Sequence, residues 1–468
     1  MSDLGFGKPD DKDSLVGLNT LGWGRNEVVS LPSVAGMSNY ATIQGEAGLS
    51  QVTDMNRASS HETASIKEVK KDVFLLSNSQ FDVEVTNGVI TSLYDKHDAR
   101  ELIPKGEKAN QLVIFDDKPL YWQAWDVEAY HLNSRKELHA EPGSTAITEN
   151  GPHRVSVTTT TTISSKSSIK TTISLSAAID PATPTCIETS ADVTWHETMK
   201  FLKVEFPVSI TNTSASYETQ YGIVSRPTHY NTSWDMAKFE VCCHKFADLS
   251  ENGYGVSILN DSKYGFAVCG NLMRLSLLRA PKAPDAHADM GDHTMRWGIL
   301  PHKGPLDHRT VRKGYEFNYP TRLLSHPKPG EVKRLLAAFR LDEGSDKGLV
   351  LDTIKRAEDD EDVAPRGEHR LHSRAGKSVI VRVYDSLGGR ARGRISMGSV
   401  KVVKAWKCNL LEDDEEELEV ESGGAEQVDD RDGDGDGDGD GGGGKGAAAG
   451  VRIDLRAFEV ATYRFLLA

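Results

Sequence analysis

Hydrophobic and polar residues alternate over long stretches of this chain, which is the pattern of β-strands with one buried face. The clearest case is Phe81-Asp82-Val83-Glu84-Val85-Thr86, followed by Asn87-Gly88 and a second alternating run, Val89 to Tyr94. Asn-Gly between two such runs favours the tight turns of β-hairpins, because both turn positions need positive φ angles. The pattern therefore predicts an antiparallel hairpin here.

The same period recurs through most of the chain. Val155 to Leu175 is a Thr- and Ser-rich alternation, Phe201 to Val208 alternates again, and Tyr254 to Leu259 is a short apolar run ending at Asn260-Asp261. Few segments have a helical period. We predict an all-β protein with a large antiparallel supersandwich over residues 71–330, and a smaller β-sandwich over residues 331–468.

Three segments depart from this pattern. Residues 1–32 contain two short strand-like pieces, residues 33–70 lack either period and predict an irregular linker, and residues 412–450 predict a disordered acidic insertion with Gly-Asp repeats. The Gly-Asp repeat begins like a calcium loop, but Gly443 occupies the position of the required Glu.

Charge is concentrated in the acidic insertion. The net charge is -14 at pH 7, and residues 412–440 contain 16 acidic residues and one basic residue, so the rest of the chain is nearly neutral. No basic patch indicates nucleic-acid binding, and no apolar run of about 18 residues indicates a membrane span. The five cysteines are odd in number, which favours reduced thiols, and the polar first residues predict synthesis in the cytosol.

One stretch, from Tyr221 to Gly265, is rich in side chains that bind polar ligands. Its first half predicts a long polar loop, where binding residues concentrate. The candidate substrate-contacting residues are Arg226, His229, Asn231, Trp234, Asp235 and Lys238. The alternative is that these residues connect the loop to the sandwich.

Two further stretches contain candidate binding residues, one for a sugar and one for a metal ion. Tyr121-Trp122-Gln123-Ala124-Trp125-Asp126-Val127-Glu128-Ala129-Tyr130-His131 is either an aromatic platform on which a sugar stacks or an aromatic cluster that closes the end of a sheet. Asp285, His287 and Asp289 alternate and could bind a metal on a strand, but the nearby prolines and glycines favour an exposed loop.

Two long stretches of the chain resemble the same protein family. RPTHYNTSWDMAKFEVCCHKFADLSENGYGVSILNDSKYG from Arg226 and GNLMRLSLLRAPKAPDAHADMGDH from Gly270 resemble the C-terminal half of the class II α-mannosidases, the family 38 glycoside hydrolases of the cytosolic and vacuolar branch. The resemblance runs from Leu18-Asn19-Thr20 through Val379 to Gly389 and on to Phe458-Glu459-Val460.

The resemblance implies a galactose-mutarotase-like supersandwich and retaining, zinc- or cobalt-dependent hydrolysis of mannose-containing oligosaccharides. In that family the catalytic carboxylates and metal ligands precede this region, so we expect no catalytic residue and no metal ligand in this chain. A separate N-terminal catalytic half is the expected partner. Homo-oligomerisation stays open, as does delivery to the vacuole. The alternative function is a non-catalytic carbohydrate-binding or scaffold module.

Overall fold

The computed structural model describes residues 15–31, 40–45, 48–53, 63–325, 339–363, 374–398, 400–421 and 448–468. The chain forms two compact units. The larger consists of residues 25–45 and 51–323, and the smaller of residues 1–24, 46–50 and 324–468. Both consist mainly of antiparallel β-sheet. The prediction of an all-β antiparallel fold is therefore confirmed.

The strands up to residue 207 lie in this order. They are β1 (Leu15–Asn19), β2 (Arg25–Ser30), β3 (Tyr40–Gly45), β4 (Gly48–Thr53), β5 (Ser65–Lys70), β6 (Val73–Ser77), β7 (Phe81–Thr86), β8 (Val89–Asp95), β9 (Arg100–Glu101), β10 (Gln111–Asp116), β11 (Lys136–Glu137), β12 (Ala146–Asn150), β13 (Arg154–Thr162), β14 (Ser168–Ser176), β15 (Ile187–Trp195) and β16 (Lys200–Pro207).

The strands after residue 207 continue this numbering. They are β17 (Ser214–Thr219), β18 (Gly222–Pro227), β19 (Val241–Cys242), β20 (Phe246–Ser250), β21 (Tyr254–Asn260), β22 (Gly265–Cys269), β23 (Leu272–Arg279), β24 (Gly291–Lys303), β25 (Arg322–Ser325), β26 (Arg340–Leu341), β27 (Leu349–Arg356), β28 (Ser378–Asp385), β29 (Ala391–Ser396), β30 (Val402–Cys408), β31 (Asp414–Leu418), β32 (Gly450–Leu455) and β33 (Val460–Leu467).

Helices are short among the described residues. They are α1 (Ser233–Met236), α2 (His308–Asn318) and a 3-10 helix over Ala129–Ser134. The Asp307 side chain caps α2 by accepting a hydrogen bond from the Arg309 amide at 2.7 Å. In the part of the chain that the structure describes, no helix is both long enough and apolar enough to cross a membrane.

Three sheets enclose the core of the larger unit. They have the strand orders β5-β6-β7-β8-β9, β12-β13-β14-β15-β24-β21-β20-β17-β18 and β11-β10-β16-β23-β22-β19. One cluster of buried apolar side chains receives residues from all three sheets, among them Val83, Trp195, Leu202 and Trp297. Burial of this shared apolar surface stabilises the three-sheet arrangement.

The hairpin predicted at Asn87-Gly88 is confirmed. Strands β7 and β8 pair on either side of it, and the two turn residues have φ angles of 49° and 80°. The Thr-rich alternation forms β13 and β14, which pair from Arg154↔Ser176 to Thr162↔Ser168. Cross-strand hydroxyl contacts such as Thr158 to Thr172, at 2.9 Å, occupy the polar face of this pair.

The smaller unit contains two sheets with strand orders β26-β29-β32 and β27-β28-β33-β30-β31. Their facing apolar residues form one core, with Val381, Ile395 and Phe465 at 0% exposure. This core has the alternation that the sequence predicts for a second sandwich.

The prediction of an irregular linker over residues 33–70 is wrong for the described part of that range. Strands β3, β4 and β5 lie there, with β3 pairing to β2 and β5 to β6. Strand β5 is the mostly exposed edge of its sheet, so its side chains carry no burial alternation that a sequence pattern could reveal. Residues 32–39, 46–47 and 54–62 lie outside the described residues.

The prediction of disorder over residues 412–450 is also wrong at both ends of that range. The segment Asp414–Leu418, which contains four acidic residues, forms strand β31, and Gly450 begins β32. Cations neutralise the acidic edge, since Arg374 contacts Asp414 at 2.6 Å and Lys404 contacts Glu417 at 3.0 Å. Residues 422–447 lie outside the described residues.

Candidate functional site

The six-stranded sheet of the larger unit has a charged face that is buried. On β16, Leu202, Val204 and Phe206 face the common core, so strand alternation places Phe201, Lys203 and Glu205 on the opposite face. Lys203 is nevertheless 0% exposed and Glu205 is 3% exposed. Buried charges are costly unless they are paired.

Ion pairs satisfy these charges. Lys203 Nζ lies 2.6 Å from one carboxylate oxygen of Glu240. The other oxygen of Glu240 accepts a hydrogen bond from the Ser276 hydroxyl. Glu205 lies between two guanidinium groups, those of Arg135 and Arg274, each at 2.7 Å. We call the set formed by Arg135, Lys203, Glu205, Glu240 and Arg274 the ionic layer.

Burial and charge shift the pKa values within the ionic layer. Burial lowers the pKa of Lys203, and the charge of Glu240 opposes that effect. Burial alone would raise the pKa of Glu205, but the hydrogen bond from Arg135 and the charge of Arg274 outweigh it and leave that pKa lowered. Glu205 is therefore an ionised structural carboxylate and not a proton donor.

Two segments distant in sequence cover the ionic layer. The 3-10 helix of residues 129–134 places the His131 ring 5.1 Å from Phe115, 5.6 Å from Phe201 and 5.9 Å from Phe239, measured between centroids. Burial, together with the charge of Lys203, lowers the pKa of His131 to about 4. A neutral imidazole in an aromatic cluster therefore joins the segment before β11 to the segment before β19.

The rim segment, defined as residues 226–238, is not the continuous loop that the sequence predicts. Arg226 lies on strand β18, which pairs with β17 at the edge of the nine-stranded sheet, and residues 233–236 form α1. The Thr232 hydroxyl oxygen caps α1 by accepting a hydrogen bond from the Asp235 amide at 3.1 Å. Local capping and edge pairing thus give this polar sequence regular structure.

Some of the predicted site residues lie together and others do not. His229 Nδ1 is 3.7 Å from the Asp235 carboxylate, and the backbone N–H of Asn231 donates to the same nitrogen at 3.4 Å. Trp234 is 79% exposed, and Lys238 is also exposed. Arg226 is half-buried on its strand, and its Nε has no hydrogen-bond partner among the described residues.

The first residues of the aromatic stretch after β10 do not supply core area. Leu120, Tyr121, Trp122 and Trp125 are 74%, 74%, 69% and 67% exposed. We call residues 120–126 the aromatic turn. It follows β10 of the six-stranded sheet, and its rings face solvent, so the aromatic-cluster interpretation is wrong for these residues. His131, at the other end of the predicted stretch, does lie in a buried aromatic cluster with Phe115, Phe201 and Phe239.

The alternative metal site is not supported. Residues 281–290, which include Asp285, His287 and Asp289, have no strand and form a loop, as the prolines predict. Within the described residues, no group of three or more His, Cys, Asp or Glu side chains could hold a metal ion.

The sequence did not reveal the ionic layer. Lys203 and Glu205 alternate with apolar residues on β16, which is normally the pattern of a solvated face. The only sequence signal was the flanking aromatic pair Phe201 and Phe206, which does not distinguish a covered face from an exposed one. The covering residues come from positions more than 30 residues away on both sides.

Comparisons with known proteins place this architecture in a family. Residues 76–287 match the model of the glycosyl hydrolases family 38 C-terminal domain, and residues 372–463 match the model of the family 38 C-terminal beta sandwich domain. The chain is 46% identical over 333 residues to the alpha-mannosidase of Saccharomyces cerevisiae, a match that covers 68% of this chain and 30% of that protein.

A human relative gives the same result. The chain is 37% identical over 419 residues to human alpha-mannosidase 2C1, covering 87% of this chain and 37% of the relative. The chain thus spans about a third of the length of these relatives. A solved family 38 protein from Enterococcus faecalis superposes with a TM-score of 0.61 at 13% identity, covering 97% of this chain and 58% of that one, which shows a shared fold.

Proposed function

We propose, on the premise that this chain belongs to glycoside hydrolase family 38 as its C-terminal β-sandwich region, that it serves the hydrolysis of terminal α-mannosyl residues of free oligosaccharides or N-glycans. The observation that carries the proposal is the match of both units to family 38 C-terminal models, together with 46% and 37% identity to two proteins named alpha-mannosidase. We also propose the functional domain limits as residues 71–330 and 331–468.

The chemistry of the reaction limits what this chain contributes. A retaining glycosidase uses two carboxyl groups about 5–5.5 Å apart, one of them a proton donor with a raised pKa. Glu205 and Glu240 cannot take these roles while they are paired to buried cations. The zinc that the family implies finds no matching ligand group among the described residues, so we assign no zinc ligand and no zinc-dependent step to this chain.

The contribution we propose for this chain is to the substrate-binding rim. Arg226 is half-buried, and the terminal nitrogens of a guanidinium can donate paired hydrogen bonds to neighbouring sugar hydroxyls. His229 and Asn231 add further donors, Trp234 exposes a ring that can pack on a pyranose face, and Asp235 and Lys238 add charged groups. The Asp235 carboxylate lies 3.7 Å from His229 Nδ1, beyond hydrogen-bond distance.

The test is Arg226→Ala and His229→Ala in the complete enzyme, with kinetics and thermal stability measured together. Loss of one hydrogen bond to a neutral ligand costs about 1 kcal/mol, so we expect kcat/KM to fall about fivefold for each variant. The melting temperature should stay close to that of the wild type.

Arg452→Ala is the matched control, because this arginine is 81% exposed and lies in the smaller unit. It should change neither kcat/KM nor the melting temperature. If Arg226→Ala and His229→Ala leave kcat/KM unchanged while the melting temperature falls, the rim segment is structural and the assignment is wrong.

A further inference from the structure

The aromatic turn presents three aromatic rings and a leucine to solvent within six residues. Tyr121, Trp122 and Trp125 each expose about two thirds or more of their surface. Such side chains usually supply core area, and clustered exposure of this kind indicates a binding surface.

The backbone of the aromatic turn is firmly held. The Arg279 guanidinium donates to the carbonyl oxygens of Gln123 at 2.9 Å and Asp126 at 2.7 Å, while its Nε donates to Asp117 at 2.7 Å. The Lys282 amide donates to the Gln123 side chain at 2.9 Å. These bonds fix the turn without covering its rings, so binding of a ligand would cost little conformational entropy.

The arrangement of the rings suits a sugar. Trp122 and Trp125 lie 6.0 Å apart between centroids with an interplanar angle of 88°, so the two indoles form a corner and do not stack on each other. A flat face of a pyranose is lined with C–H groups and its edge with hydroxyls. The indole rings offer apolar surface to the C–H face, and Asp126, which is exposed and directly follows Trp125 in the chain, offers a carboxylate to the hydroxyls.

We propose that the aromatic turn is a carbohydrate-binding site, in which a pyranose of a mannose-containing oligosaccharide packs on Trp122 and Trp125 and its hydroxyls donate to Asp126. Interleaved polar groups favour this occupant over an apolar protein surface, since Gln123 and Asp126 break the apolar patch. The choice of mannose rests on the proposed function, but binding at this site requires no hydrolysis.

The site is distinct from the rim segment. The Gly270 amide donates to the carbonyl oxygen of Thr228 at 2.7 Å, so the rim segment contacts the chain just before β23 begins. Arg279, which holds the aromatic turn, ends β23. With a rise of about 3.3 Å per residue, the two ends of this strand are roughly 23 Å apart.

The test measures binding of a mannotriose to the 468-residue chain by calorimetry and by tryptophan fluorescence. We expect saturable binding with a blue shift of the emission, because exposed indoles become covered. Trp122→Ala and Trp125→Ala should each raise the Kd about tenfold, and Trp122→Phe and Trp125→Phe should restore most of the affinity. Leu411→Ala, which removes an 84% exposed apolar side chain in the smaller unit, should bind like the wild type.

Three outcomes would overturn the proposal. The first is a Kd that is unchanged in both alanine variants while their melting temperatures match the wild type. The second is the absence of binding by the wild type at millimolar sugar. The third is a dimer in sedimentation that Trp122→Ala dissociates, which would make the turn an interface between copies. Because the readout is binding and not turnover, failure here is distinguishable from failure of the rim variants in the complete enzyme.

Discussion

Lys203 shows how a single residue balances the charge of a buried sheet face. Its Nζ pairs with Glu240 at 2.6 Å and lies 4.0 Å above the Phe201 ring, and its side chain is 0% exposed. Removing one member of such a pair leaves the other charge uncompensated, which costs more than the pair contributes as a whole.

Substitution of Lys203 tests this balance. We expect Lys203→Met to lower the free energy of unfolding by about 3–5 kcal/mol, because the Glu240 carboxylate would be left unpaired. The double variant Lys203→Met with Glu240→Gln should be less destabilised than the sum of the two single variants. Urea denaturation measures all three. Lys404→Met, which breaks an exposed pair with Glu417, should cost no more than about 1 kcal/mol.

His131 makes stability depend on pH. Its pKa falls from an ordinary value of 6.5 to about 4 in the folded chain, so between these values the unfolded state binds more protons. The contribution of the neutral His131 side chain to the stability of the fold is therefore fully present above pH 6.5 and is lost as the pH falls towards 4. We expect His131→Leu to flatten this part of the curve of melting temperature against pH. The exposed His287→Leu should leave the curve as in the wild type, and an unchanged slope in His131→Leu would contradict the assignment.

At the scale of elements, the β7–β8 hairpin combines local turn chemistry with tertiary packing. Gly88 has a φ of 80°, and a Cβ added there would lie 2.6 Å from Thr159 Cγ2 on β13. The turn therefore needs a glycine for two separate reasons.

Gly88→Ala tests both reasons together. Left-handed backbone strain of about 1–2 kcal/mol and overpacking of about 1–3 kcal/mol should add to a loss of about 2–5 kcal/mol in unfolding free energy. Asn87→Gly is the matched control, since glycine accepts the φ of 49° at that position. Chemical denaturation gives both values. Equal stability of Gly88→Ala and the wild type would show that neither constraint operates.

At the scale of the whole molecule, the division of labour between this chain and the rest of a family 38 enzyme can be tested directly. We expect the 468-residue chain to release no chromophore from an aryl α-mannoside, with or without added zinc or cobalt. The reason is that hydrolysis needs a proton donor and a nucleophile, and the carboxylates of the ionic layer are committed to ion pairs.

A complete family 38 α-mannosidase assayed in parallel is the positive control. Turnover that survives purification of the 468-residue chain, and that a single Asp or Glu substitution abolishes, would place the catalytic site in this chain. That result would refute the proposal that the catalytic groups lie outside this chain, and it would leave the description of the fold unchanged.

The sequence by itself determined the all-β class, the Asn87-Gly88 hairpin and the family, because alternation, turn residues and motif identity are local properties of the chain. Weakly patterned edge strands such as β5 and β31 escaped prediction, since backbone pairing with a neighbour forms them without a buried side-chain face. Only the tertiary structure decided that Lys203 and Glu205 are buried and that Trp122 and Trp125 are exposed. Those outcomes depend on which distant segments cover a surface, as His131 packs against both Phe201 and Phe239, and no local pattern encodes such a contact.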